Sequence, residues 1–395
     1  MKNILKRIAQ LNTFRGVKRI NRIALRAFYK QNYAKAFELW SPLAKSGDEE
    51  AQYFLGSLYF HGHGVEQDYQ TAVEWFRKAA EQGYNGAELN LGSCYYFGYG
   101  VEQSYETAVK WYQKAAENDN PEAQDALGTC YLNGEGVDQS YQTSFEWYHK
   151  AAEAPLCLGK YHLAMCYEFG YGVEQSYERA FELYKQSAFS IDATGFAFYK
   201  VGEFYEQGKG VEADYPHAFV CYQRAANLGD VNGQYHIGLH YYYEKNYPMA
   251  VEWYRKAADQ GQSEAQFDLG RLYYFGLGVE KDYKSAVKWF QQAAEQGLPQ
   301  AQRRLGLCYV LGHGIEESNK DAVKWFRKAA EQGLASAQYD LGIQYLFGNG
   351  VEQCDKTAME WIQKAADQGY EEAIKELEEL QQLINNEPTL LALCE

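Results

Sequence analysis

Long apolar runs are missing from this chain of 395 residues. No uninterrupted stretch of about eighteen apolar residues occurs, so no transmembrane helix is expected. The N-terminus carries Lys2, Lys6 and Arg7 but lacks the apolar core of a secretory signal. Acids are absent from residues 1–37, which hold ten bases: Lys2, Lys6, Arg7, Arg15, Lys18, Arg19, Arg22, Arg26, Lys30 and Lys35. The rest of the chain then carries 28 bases against 53 acids, a charge of −25. Such a body lacks the cationic surface that phosphate binding requires, which argues against nucleic acid as a partner. Catalytic signatures are missing as well. There is no His-Glu-x-x-His, no Gly-x-Ser-x-Gly and no thioredoxin-like cysteine pair.

Disulfides are not expected, although the chain has eight cysteines. Cys94, Cys130, Cys166 and Cys308 occupy one slot of a repeated pattern, a slot filled elsewhere by Leu58 and Leu272. They read as small core residues. Equivalent positions in neighbouring helix layers lie about 8–10 Å apart, beyond the roughly 7 Å between Cα atoms that a disulfide spans. Free thiols point to a reducing, cytoplasmic setting.

What the chain does have is a period of about 36 residues. Gly56, Gly92, Gly128, Ala164, Gly202, Gly238, Gly270, Gly306 and Gly342 mark it, and a tyrosine follows each by three residues, from Tyr59 to Tyr345. Self-similarity at this period predicts an all-α, right-handed superhelical solenoid of about ten helix pairs, each burying its apolar face on its neighbours. Within residues 51–86, Ala51, Leu55, Gly56, Leu58 and Tyr59 recur at helical spacing and define an A helix. Gly62-His63-Gly64-Val65 ends it. A capping residue opens the B helix: Asp68, Ser104, Ser140, Ser176, Asp214, Asn246, Asp282 and Ser318, with Cys354 the exception. The B stripe reads Ala72, Trp75, Ala79, Ala80. Trp75 and its equivalents are expected to fill the space between layers, each worth about 3–5 kcal/mol.

Ala51, Leu55, Gly56, Tyr59, Gly62, Gly64, Val65, Ala72, Trp75, Lys78, Ala79, Ala80 and Gly83 together resemble the Sel-one-like repeat, a relative of the tetratricopeptide repeat. The resemblance covers residues 23–384. It implies a non-enzymatic adaptor or scaffold for other proteins, as known members mostly are, without cofactor or metal. Bacterial relatives serve signalling, secretion and host contact. Two other readings stay open: a β-lactam hydrolase, as in a cysteine-rich branch whose paired cysteines this chain lacks, and a secreted effector or toxin-inhibiting partner.

The expected organisation is a basic N-terminal segment over 1–22, a solenoid over 23–370, a C-terminal capping helix over 371–384 and a frayed tail over 385–395. Residues 1–22 place Ile4, Ile8 and Leu11 on one helical face, which suits an extra capping helix or a membrane contact. The middle is less regular. Asp119, Pro155 and Ile191 replace the glycine after helix B, so altered curvature or a hinge competes with neutral drift there.

Two histidine groups, His61 with His63 and His236 with His240 and Glu244, have helical or loop spacing for a metal but lack further ligands. A binding face is the better candidate. In related helix-pair repeats the A helix lines the concave side, at offsets three before, one after and four after the glycine. The first offset gives Tyr53, Tyr161, Tyr199, Tyr235, Phe267 and Tyr339. The last gives Phe60, Tyr96, Tyr242 and Tyr274, with Glu168 and Glu206 in mid-array. These aromatics are either a partner-binding groove or internal packing.

Overall fold

Helix pairs recur along the described part of the chain, residues 14–386 of a computed structural model. Twenty-one α-helices and no strand lie among those residues, from Phe14–Tyr29 to Glu371–Asn386. A representative repeat has the A helix Glu49–His61 and the B helix Tyr69–Ala80. B helices start where their capping side chains dictate. Asp68 accepts from the Thr71 amide, Ser104 from Thr107 and Ser318 from Asp321, whereas Cys354 makes no such bond. A helices stop at a left-handed glycine, Gly62 at φ 68° for example, except Val231–Tyr243, which ends at Glu244. The return is fixed by backbone: the Asp68 amide donates to the Tyr59 carbonyl at 3.0 Å, and Ser104 to Tyr95 and Ser318 to Tyr309 repeat it.

The chain divides into two units between Tyr215 and Pro216. In the first, consecutive helices pack on one another from Phe14–Tyr29 to Gly195–Gln207; in the second, from Val231–Tyr243 to Glu371–Asn386. The helix Phe14–Tyr29 runs across residue 22 and buries Ala24 and Ala27 with Trp40 and Leu43. Residues 1–13 and 387–395, which include much of the basic segment and nearly all of the expected tail, lie outside the described residues. Asp119 keeps the left-handed backbone of the glycine it replaces, with φ 57°.

The core differs from the sequence reading at one position. In six B helices the fully buried ring is the residue after the tryptophan: Phe76, Tyr112, Tyr148, Tyr254, Phe290 and Phe326 are at most 3% exposed, and Ile362 takes this place after Trp361. This ring lies flat against the repeat glycine. A Cβ on Gly56 would sit 2.7 Å from the Phe76 ring, and one on Gly306 2.6 Å from Phe326. Trp75 does reach the neighbouring layer, packing on the cluster of Trp40, Leu55 and Leu58, but it stays half-buried. Its outer face is covered by Lys78, whose Nζ is 4.3 Å from the ring centroid.

Three devices join successive repeats. The second glycine of each Gly-x-Gly loop is pressed on the first turn of the preceding B helix, so that a Cβ on Gly314 would meet the Tyr283 oxygen at 2.3 Å. The repeat tyrosine accepts from an arginine of the previous B helix, Arg77 to Tyr95 at 2.8 Å and Arg327 to Tyr345 at 2.7 Å. Finally, a buried glutamine ties the preceding B helix to the B helix of its own repeat. Gln302 donates to the Ala294 carbonyl of the preceding repeat at 3.1 Å and accepts from Gln332, which caps the B helix of its own repeat, at 2.8 Å. Gln52, Gln266 and Gln338 do the same.

Glu88 stands in this glutamine position, 4% exposed. An ionised carboxylate cannot donate, and burial raises its pKa above the ordinary Glu value. A raised carboxyl pKa favours folding below the unfolded value and costs stability as pH rises through the folded one. Glu88→Gln should therefore stabilise the chain at neutral pH by about 1 kcal/mol, the net worth of one hydrogen bond. Urea denaturation should show the gain growing as pH rises from about 4 to about 7; a gain independent of pH would refute this account.

Candidate partner-binding face

All ten aromatics singled out from the sequence lie on A helices and are half-buried. Five belong to the first unit (Tyr53, Phe60, Tyr96, Tyr161, Tyr199) and five to the second (Tyr235, Tyr242, Phe267, Tyr274, Tyr339). The buried B-helix ring explains their placement. Where both offsets are aromatic, they flank that ring. Tyr53 and Phe60 stand 6.0 and 6.2 Å from Phe76, and Phe267 and Tyr274 stand 5.8 and 6.3 Å from Phe290. Tyr96 meets Tyr112 at 6.4 Å, Tyr161 meets Tyr184 at 5.2 Å and Tyr235 meets Tyr254 at 5.7 Å. The face is thus a surface layer on an aromatic core, which gives its rings fixed positions.

Hydroxyls tie this layer across repeats. The later tyrosine of one repeat bonds the loop residue of the next: Tyr96 donates to Glu135 at 2.6 Å, and Tyr274 pairs with His313 Nδ1 at 2.8 Å. His313 in turn stacks on Tyr283 at 4.4 Å. The earlier tyrosine bonds the next A helix: Tyr235 donates to Asp268 at 3.1 Å and Tyr339 to Glu376 at 3.5 Å. Burial raises the Tyr235 pKa well above its usual value, and the neighbouring Asp268 adds to it. Burial also raises Asp268, against the pull of Arg271 2.8 Å away. Arg271 completes a cluster by donating to the Tyr242 hydroxyl at 3.3 Å, with its guanidinium 5.9 Å from the Phe267 ring centre.

Mid-array, the face changes character. Glu168 is 4% exposed, accepts from Tyr184 at 2.6 Å and pairs with Lys200 at 3.3 Å. It belongs to a buried ionic group and offers no open surface. The residues that sequence reasoning missed are charged: Asp268, Arg271, Arg303 and Arg304. Arg271 falls on the offset one after the glycine, so the register contained that signal.

His236 stacks on Tyr222 at 4.4 Å, and His240 packs at a tilt against Phe219 at 4.1 Å. Among the described residues, no three His, Cys, Asp or Glu side chains gather as a metal site would need. The thiols of Cys94, Cys130 and Cys166 are buried and pushed up to about 12, which removes the reactive thiolate. Shallow depressions beside Trp111 with Lys114, and beside Trp325 with Lys328, are lined by B-helix residues. No helix among the described residues is long and apolar enough to cross a membrane.

Stacked helix pairs carrying a regular aromatic face define a helical-repeat solenoid protein. The Sel1 repeat signature matches ten segments: 27–48, 49–84, 86–120, 121–155, 158–188, 197–230, 232–262, 263–298, 299–334 and 335–370. The chain belongs to the Sel1 repeat family. It is similar to c5321, a protective antigen present in uropathogenic Escherichia coli strains and displaying an SLR fold. Identity is 36%, coverage is 93% of this chain and 80% of that one, and the TM-score is 0.69. A Sel1 repeat protein from Oxalobacter formigenes shows 26% identity, coverage of 91% and 93%, and a TM-score of 0.40. The immunity protein Pa5087 from Pseudomonas aeruginosa shows 22% identity, coverage of 53% and 81%, and a TM-score of 0.34. No curated protein matches the chain.

Proposed function

We propose that this chain is a non-enzymatic adaptor that binds partner proteins along the concave, A-helix side of its repeats. The observation that carries this reading is the aromatic layer held over buried rings, repeated from one A helix to the next. Rings fixed in place present large apolar area at small entropic cost, which is the usual make-up of interface anchors. We place the protein in the cytoplasm, on the evidence of its buried free thiols. Metal, cofactor and nucleic acid have no part in this scheme.

The test uses the full chain as bait. Wild type and a Tyr235→Ala/Tyr274→Ala variant are immobilised, and captured proteins are identified by mass spectrometry. The variant should lose the specific partners by more than tenfold, an effect on the order of two anchor residues at 1–2 kcal/mol each. Circular dichroism of the variant should keep the helicity of the wild type. An unchanged set of captured proteins would refute the groove, and collapse of helicity would reassign both tyrosines to the core.

A further inference from the structure

Successive A helices in this solenoid are matched side chain to side chain. The residue three before one repeat glycine meets the residue two before the next repeat glycine, and the pairs are complementary. Asp125 bonds His162 at 2.7 Å, Tyr235 bonds Asp268 at 3.1 Å, Arg303 bonds Asp340 at 2.6 Å and Tyr339 bonds Glu376 at 3.5 Å. At one interface the match fails. There the register sets Phe267 against Arg304. A phenyl ring offers no acceptor to a guanidinium, and Arg304 makes no hydrogen bond or ion pair among the described residues. The ring of Tyr274 lies 5.7 Å from its central carbon, and Asp340 feels its charge without forming an ion pair with it.

The acids nearby are already committed. Asp340 is held by Arg303 and Asp268 by Arg271 and Tyr235. Burial lowers the proton affinity of Arg304, and the charges of Arg303 and Arg271 add to that. A half-buried cation without an acceptor costs stability in the free protein. Nor does its presence follow from a generally basic surface, because the chain beyond residue 37 carries −25. A cation without an ion pair beside the Tyr274 ring, on an otherwise acidic molecule, has the chemistry of a site completed by an anion from outside.

We propose that Arg304 anchors an acidic side chain, Asp or Glu, in a segment of a partner protein lying on the A-helix face of the second unit. An apolar neighbour of that acid packs on Phe267 and Tyr274. The proposal rests on the adaptor reading above and names the chemistry of the partner. The carboxylate would receive charge-assisted bonds from the guanidinium in a partly desolvated place, where such bonds are strongest. Arg303 and Arg271 add attraction without being released from their own acids.

The experiment selects a random twelve-residue peptide library on the full-length protein, with each peptide fused at its C-terminus to the display protein so that only side-chain acids are offered. Wild type should enrich peptides with Asp or Glu beside an aromatic or aliphatic residue. Arg304→Met should abolish that acidic preference and weaken a chosen acidic peptide by about tenfold or more, as loss of a charged hydrogen bond does. It should also melt at the same temperature as wild type or higher, since it removes an unmet charge. Acidic peptides that bind Arg304→Met as well as wild type would overturn the proposal, as would a lower melting temperature, which would make the arginine structural. Enrichment of purely apolar peptides, or of none, would overturn it too. Acidic peptides lost in Arg304→Met but kept by Tyr235→Ala/Tyr274→Ala would support the arginine anchor while refuting both the packing on Tyr274 and the wider groove. Apolar peptides lost only in the tyrosine variant would do the reverse.

Discussion

Gly314→Ala should lower the stability of the full chain by about 4 kcal/mol, whereas Gly297→Ala should cost only about 1–2 kcal/mol. Both glycines have positive φ, 76° and 97°, so both substitutions carry the left-handed penalty of about 1–2 kcal/mol. They differ in what a methyl group would meet. Nothing lies within 4 Å of a Cβ at Gly297, whereas at Gly314 the Tyr283 backbone stands at 2.3 Å. Backbone cannot rotate away, so the loop must lift from the preceding B helix, adding roughly 1–3 kcal/mol. Urea denaturation of the two variants, with hydrogen exchange across 283–314, gives the comparison. Equal losses would mean that the loop glycine serves only to end its helix.

Phe326→Ala should destabilise by about 3–5 kcal/mol and Trp325→Ala by about 1–2 kcal/mol, although tryptophan is the larger side chain. Phe326 is 1% exposed and fills the space against Gly306, so its removal leaves a cavity. Trp325 is half-buried, with Lys328 Nζ 4.1 Å from its ring centroid, and solvent can close over the gap it leaves. A repeat array transmits such damage mainly to neighbours, so exchange should rise first in the helices next to Asn319–Glu331. The opposite ranking of the two variants would restore the tryptophans as the chief core residues.

The period, the pairing of helices, the caps and the buried cysteines were all legible in the sequence, because each rests on local chemistry repeated many times. Placing the core on Trp75 rather than Phe76 came from counting only one edge of the stripe. Ala72, Phe76, Ala79 and Ala80 share the buried face, and the tryptophan sits at its margin. Adjacent aromatics are ambiguous in a helix until the centre of the stripe is located. The second loop glycine was legible as a helix stop but not as a contact, since the chain it touches lies about 30 residues earlier, as Gly314 and Tyr283 show. The aromatic offsets placed ten rings on A helices. Their hydroxyl partners, and the mismatch of Phe267 with Arg304, depend on how one A helix registers against the next, which no single repeat encodes.

The buried glutamines bear on how a chain of this kind can lengthen or shorten. Gln266, Gln302 and Gln338 each donate to an alanine carbonyl of the module behind (Ala258, Ala294 and Ala330), so each module offers the same donor backward and the same carbonyl acceptor forward. An in-frame gene duplication or deletion of one such module would meet compatible seams on both sides. Where Glu88, Lys160 and Phe198 hold that position, the seams are bespoke, and copying a module there would set mismatched edges together. Growth in length is therefore easiest in the stretch carrying Gln266 to Gln338, while the seams at Glu88, Lys160 and Phe198 are fixed in order.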